Sequence, residues 1–111
     1  MGNLTRNEEI VLVSILKLRT GTYGVGIRNQ IRELTGEDWN YGLLYGLLDQ
    51  LVRKGYLIKK EGKPLPERGG RRKMYYAISK PGRRALAEAY QLKETLWEGI
   101  APGLIEREGT G

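Results

Sequence analysis

Residues 55–79 constrain this chain more tightly than any other stretch. Two short runs, GYLIKKE (55–61) and RRKMYYAIS (71–79), have the composition of strands; in the second, Met74, Tyr76 and Ile78 alternate with Lys73, Tyr75 and Ala77. Between them lies GKPLPERGG, polar, rich in Gly and Pro, and unsuited to any regular element. The expected result is a β-hairpin with a long basic tip. The other elements read as helices, so the expected fold class is mostly α with a small β-hairpin, an α+β arrangement.

The first helix is NEEIVLVSILKLR, with Asn7 as its N-cap and Glu8 and Glu9 in its first turn. Its apolar residues at 10, 11, 12, 13, 15, 16 and 18 cover most of the circumference, whereas a surface helix of a monomer shows a stripe. Either the helix is central to one domain, or it faces both its own domain and a second subunit; a chain of 111 residues has little material with which to surround a helix, which favours a homodimer. A second helix, VGIRNQIRELTG, turns Val25, Ile27, Ile31 and Leu34 inward and stops at Gly36. The turn EDWN leads to a third, Tyr41 to Lys54, capped by Asn40, buried along Leu44, Leu47, Leu48, Leu51 and Val52, and stopped by Gly55. After the hairpin, Ser79 caps a last helix with Pro81 in its first turn. Two stripes run along it, Ala85, Ala89, Leu92 and Leu96 beside Leu86, Tyr90, Lys93 and Trp97, a spacing that suits a partner helix. The expected dimer interface is Ile10, Val11, Ile15, Leu18, Leu92, Leu96 and Trp97. Pro102 and Gly103 should end the helix and leave a frayed tail.

Charge is segregated along the chain. Residues 52–84 hold twelve Lys or Arg against Glu61 and Glu67, a balance of +10, while the remainder holds seven cations against eleven acids. That is the footprint of a polyanion binder; the plainer alternative is a solvated basic face.

Three helices, a two-stranded ribbon and a further helix make a winged helix-turn-helix, which would bind double-stranded DNA by entering the major groove with the third helix. The organisation is then a DNA-binding domain over 1–79, a dimerisation helix over 80–101 and a flexible tail over 102–111. Contacts would come from Asn40, Tyr41, Gly42, Leu43, Tyr45, Gly46 and Arg53, from Tyr23 before the second helix, and from the wing residues Arg68, Gly69, Gly70, Arg71, Arg72 and Lys73. The tip needs glycine so that the backbone can turn close to a groove, and cations because duplex DNA is a dense line of phosphates. No Arg, Asn or Gln stands in the first two turns after the cap, so base reading would rest on Asn40, Tyr41, Tyr45, methyl contacts from Leu43, and shape. Tyr45 could equally face the core.

The stretches YGVGIRNQI, GLLYGLLDQLVRKGYL and GKPLPERGGRRKMYYAISKPGRRAL, with the apolar first helix, resemble the PadR-like transcriptional regulators over residues 8–89. The resemblance implies a homodimeric repressor on a near-palindromic operator, with one third helix and one wing per subunit and a C-terminal helix exchanged against the partner's first helix. Some similar regulators sense small aromatic or drug-like molecules in the dimer interface, which makes Tyr90, Lys93 and Trp97 the candidate effector residues, although Trp97 lies about one turn beyond the expected position. Leu43 and Leu47 depart from the small or hydroxyl residues that relatives carry in the third helix, which bears on the operator more than on the fold.

Other classes are weaker. With no cysteine and no histidine, the chain lacks the commonest metal ligands and general base, and no nucleophile stands beside a base, so no metal, no cofactor and no enzyme activity are expected. The longest apolar run, IVLVSILKL, is too short to cross a bilayer and no secretory leader pattern is present, which suggests a cytoplasmic protein without a membrane partner. A protein-interaction module that kept the scaffold without sequence-specific DNA binding is the alternative, motivated by the apolar third helix.

Overall fold

The fold was obtained as a computed structural model that describes residues 4–20, 22–64 and 72–108. In chain order it has α1 (Arg6–Leu18), α2 (Gly24–Thr35), α3 (Tyr41–Arg53), β1 (Leu57–Pro64), β2 (Arg72–Ile78), α4 (Lys80–Trp97) and α5 (Pro102–Glu108).

Helix α1 begins at a capping box. Thr5 Oγ1 accepts from the Glu8 amide at 3.1 Å, and Glu8 Oε1 accepts from the Thr5 amide at 2.9 Å. The cap is therefore Thr5 rather than Asn7, because only Thr5 has a glutamate three residues on to return the bond. Helices α2 and α3 cross beneath α1 as the helix-turn-helix. Ile27 and Ile31 of α2 are fully buried, but Val25 and Leu34, expected inward, stay 46% and 43% exposed, on either side of the stripe that meets the core. Gly36 closes α2 at φ +76, and Gly55 takes φ +82 after α3, both conformations that favour glycine.

The strands pair antiparallel, from Leu57 opposite Ile78 to Glu61 opposite Met74, with a register shift between Glu61 and Pro64. The segment before α2 joins this ribbon: Tyr23 bridges Tyr75, and the Tyr76 amide donates to the Thr22 carbonyl at 2.9 Å. The hairpin is thereby fastened to the entry of α2, a link that the broken run TGTYG does not announce.

One core unites these elements: Val11, Leu12 and Ile15 of α1, Ile27 and Ile31 of α2, Trp39 of the turn, Leu44, Leu48 and Leu51 of α3, Leu57 of β1 and Tyr76 of β2. Leu47 and Val52 lie at its margin, only partly buried. Val11 and Ile15, expected at a subunit interface, are buried within their own chain. Ile10 and Leu18 are partly buried.

Helix α4 starts where α3 ends. Ser79 Oγ caps it by accepting from the Gly82 amide and also donates to the Gly55 carbonyl, while the Ser79 amide donates to the Tyr56 carbonyl at 3.1 Å. Gly82 lies so close that a Cβ there would fall 2.2 Å from Tyr56 O. Ala85 and Leu86 still touch the core, but residues 90–100 are exposed, and the molecule measures 60 × 29 × 22 Å as a result. The helix ends at Trp97 with Gly99 at φ +80, and Pro102 opens α5 instead of introducing a frayed tail, since a proline in the first turn of a helix gives up no hydrogen bond.

Candidate nucleic-acid interface

The exposed face of the helix-turn-helix is built around the start of α3. Asn40 Oδ1 accepts from the Leu43 amide at 2.8 Å, which fixes the first turn and leaves the side chains of Tyr41 and Leu43 outward. The Tyr41 and Tyr45 rings stack at 6.1 Å with planes 27° apart. Tyr45 is half exposed, and its hydroxyl covers Gly24 at the start of α2, where a Cβ would fall 2.0 Å away. It therefore does both things the sequence left open: the hydroxyl end packs inward and part of the ring faces out.

A guanidinium reaches this face from α2, that of Arg28. Its Nε donates to the Trp39 carbonyl, its Nη2 pairs with Asp38 at 3.0 Å, and its charge lies 5.1 Å from the Tyr41 ring centre. Arg32 pairs with the same carboxylate at 2.6 Å. The hydrogen bond from Arg32 holds Asp38 below the usual carboxylate range, against the effect of burial and with the help of both positive charges. This cluster anchors the turn before α3, as does Glu37, which accepts from Arg6 at 2.6 Å and from Trp39 Nε1 at 2.9 Å.

At the other end of α3, Glu8 is completely buried. It accepts from Gln50 Nε2 and from Lys54 Nζ, each at 2.6 Å, besides the Thr5 amide. Burial pushes its carboxyl up, but the bonds from Lys54, Thr5 and Gln50 outweigh burial and hold it below its ordinary value. Both ends of α3 are thus tied by polar groups. The local T-x-x-E signal shows the cap, but nothing local shows that the same carboxylate reaches residues 42 and 46 positions away.

On the hairpin, Lys73 Nζ lies 3.9 Å from the centre of the Tyr23 ring, and Tyr23 meets Tyr75 edge-on at 5.6 Å. Tyr23 and Lys73 thus form one unit beside the first residues of β2. Arg68, Gly69, Gly70 and Arg71 lie outside the described residues, and of Arg72 only the backbone, which opens β2, belongs to them. Arg53 is exposed at the far end of α3, away from Tyr41.

Among the described residues, the three candidate effector residues border separate grooves. Tyr90 borders an apolar groove of about 360 Å³ with Glu9, Val13, Leu16 and Leu86. Lys93 pairs with Glu9 at 2.5 Å and borders a second groove, of about 400 Å³, with Ile10, Val13 and Leu34. Trp97, 50% exposed, lies beyond both. Among the described residues no group of acidic side chains could hold a metal ion, and no helix is long and apolar enough to cross a membrane.

A family model described as the transcriptional regulator PadR-like family matches residues 12–88. The chain is similar to the solved structure of RosR from H. salinarum, at 28% identity with a TM-score of 0.69, covering 96% of this chain and 88% of that one. It also shares its fold with a winged-helix DNA-binding protein from STIV (18% identity, TM-score 0.67, 86% and 95% covered) and with a transcriptional regulator from Clostridium thermocellum (23%, 0.61, 85% and 91%). No curated protein matches the chain.

Proposed function

Because the chain belongs to the PadR-like family of transcriptional regulators, which are not enzymes, we propose that it binds duplex DNA as a homodimer and acts as a cytoplasmic repressor on a near-palindromic operator. Each subunit lays the start of α3 in a major groove and the basic hairpin along the neighbouring backbone. The observation that carries this reading is the exposed start of α3, held by Asn40 and the Arg28–Asp38 cluster, in a chain whose positive charge is concentrated in the hairpin region. Residues 1–79 then form the DNA-binding part and 80–101 the dimerisation helix. Asn40, Tyr41, Gly42, Leu43, Tyr45 and Gly46 face bases, and Tyr23, Arg53 and residues 68–73 serve the phosphates.

Dimerisation is supported by the apolar surface left on α4. Tyr90, Leu92, Leu96 and Trp97 are all exposed, and the grooves along α1 lined by Ile10, Val13, Leu16 and Leu34 are apolar and open. Seating α4 of one subunit against α1 of the other covers both. Trp97 would then stand in the interface, where its ring could take one face of a flat aromatic effector. The effector reading is tested by Trp97 fluorescence during titration with planar aromatic compounds, with Trp97→Phe as the control for the buried Trp39.

The functional test is fluorescence anisotropy with duplex DNA from upstream of the protein's own gene beside a scrambled duplex, at low and near-physiological salt. A preference of about 10³-fold or more that survives the higher salt is expected. Replacing Arg71 and Arg72 together should lower the slope of log affinity against log salt by about 2 units. Equal binding to both duplexes, erased by salt, would count against an operator at that site and favour a protein partner for the apolar face of α3.

A further inference from the structure

The reading face of α3 is apolar over its first two turns, and the polar groups that flank its start are committed elsewhere. Over its first two turns the outward side chains are Tyr41, Leu43 and Tyr45, with Gly42 and Gly46 between them. Arg28 is held by Asp38, the Trp39 carbonyl and the Tyr41 ring, and Arg32 is held by Asp38. Gln50 is turned to Glu8. The oxygen of Asn40 caps the helix, which leaves its amide N–H groups free to turn to a base. The bidentate arginine contact that commonly reads guanine therefore has no donor here among the described residues.

What the face does offer is an aliphatic side chain. Leu43 is 40% exposed. In the major groove, the C5-methyl of thymine is the apolar group that distinguishes one base pair from another, and a leucine at the reading position discriminates through it. The glycines fit this use. A Cβ at Gly46 would meet nothing within 4 Å, so packing inside the chain gives no reason for glycine there. Relative to alanine, glycine costs a helix interior about 1 kcal/mol. Bare backbone at that position lets the helix seat deeper, which brings Leu43 within reach of a methyl group.

Resting on the DNA-binding reading above, we infer that the half-site is selected by methyl contact: Leu43, flanked by the stacked Tyr41 and Tyr45 rings, recognises the C5-methyl of at least one thymine in each half-site.

The test uses the full chain and a library of random 30-base-pair duplexes, from which bound sequences are enriched over several rounds. Each thymine of the enriched half-site is then replaced singly by deoxyuridine, which deletes the methyl group and leaves every hydrogen-bonding group in place. At one position or more the affinity should fall about fourfold, the value of one methyl removed from water. In Leu43→Ala, whose exposed site keeps the fold intact, the same replacement should change affinity less than about twofold, because the coupled partner is gone. A parallel selection from a library carrying 5-methylcytosine for cytosine separates the two sources of a C5-methyl: the same thymines enriched in both libraries supports the inference, and sites that require 5-methylcytosine overturn the thymine assignment. An enriched site indifferent to deoxyuridine, or one that Leu43→Ala leaves equally sensitive, overturns the inference while the regulator reading stands. Failure to enrich any sequence overturns both.

Discussion

Removing the carboxylate of Glu8 should loosen α3 from α1, and the size of the effect can be worked from its partners. The group is 0% exposed and accepts three hydrogen bonds, from the Thr5 amide, Gln50 and Lys54. Loss of its half of the capping box costs about 1 kcal/mol. Each of the two bonds at Oε2, made to a charged acceptor, contributes about 1.5–3 kcal/mol more. Lys54 is 38% exposed and recovers part of that loss by turning to water. Glu8→Ala should therefore destabilise the protein by about 3 kcal/mol, which lowers Tm by more than about 10 °C in a domain of this size. Glu8→Gln keeps the shape but offers one carbonyl oxygen to three donors, and should cost about 2 kcal/mol.

The pH dependence of the same group gives a second check. Its folded pKa lies below the ordinary value of 4.5 because the bonds from its donors outweigh burial. A carboxyl held down in the folded state contributes stability that is fully present above the unfolded pKa and is lost as pH falls through the folded pKa. The stability gap between the natural chain and Glu8→Gln should thus be constant at neutral pH and shrink on acidification below 4.5. Urea unfolding followed by circular dichroism at a series of pH values measures it. A gap within about 0.5 kcal/mol of zero at pH 7, or one that does not shrink in acid, would refute the role given to this carboxylate.

Three further outcomes are expected. Ser14 is fully buried in α1 and its hydroxyl finds no partner among the described residues, so Ser14→Ala should leave stability unchanged or raise it by up to about 1 kcal/mol in urea unfolding; a loss would mean that the hydroxyl is bonded. Gly82→Ala would place a Cβ 2.2 Å from the Tyr56 carbonyl oxygen and should cost about 1–3 kcal/mol by thermal unfolding, since the neighbour is backbone and cannot swing aside. Leu96→Glu, at an exposed site on α4, should convert dimers to monomers in sedimentation without lowering the unfolding temperature of the subunit; a stable dimer would remove α4 from the interface.

Local chemistry was enough to read most of the elements, because each is punctuated by its own residues: Asn40 and Ser79 start helices, Gly36 and Gly55 stop them, and the alternation through Met74, Tyr76 and Ile78 marks a strand. What could not be read locally is which apolar residues find a neighbour. Val25 and Ile27 are both aliphatic residues of one helix, yet only Ile27 meets the core. On α1 the apolar residues run around the helix, so periodicity alone could not separate Val11 and Ile15, which are interior, from Leu16, which is exposed. Trp39 in a polar turn gave no periodic signal and became part of the core because α2 and α3 close over it. The candidate interface divides in the same way: Asn40, Tyr41 and Leu43 follow from their position at a helix start, whereas the commitment of Arg28 and Gln50 to other partners depends on contacts across the fold.

The seat of Gly82 on the Tyr56 carbonyl gives α4 the mechanics of a lever with a short arm. At 18 residues the helix is about 27 Å long, and a tilt of about 5° at its root moves its far end by roughly 2 Å. Its fulcrum is the turn that ends α3, with a glycine in place of any cushioning side chain. A displacement of the far end of α4 would therefore be felt first, through bare backbone, at the turn that links α3 to the hairpin.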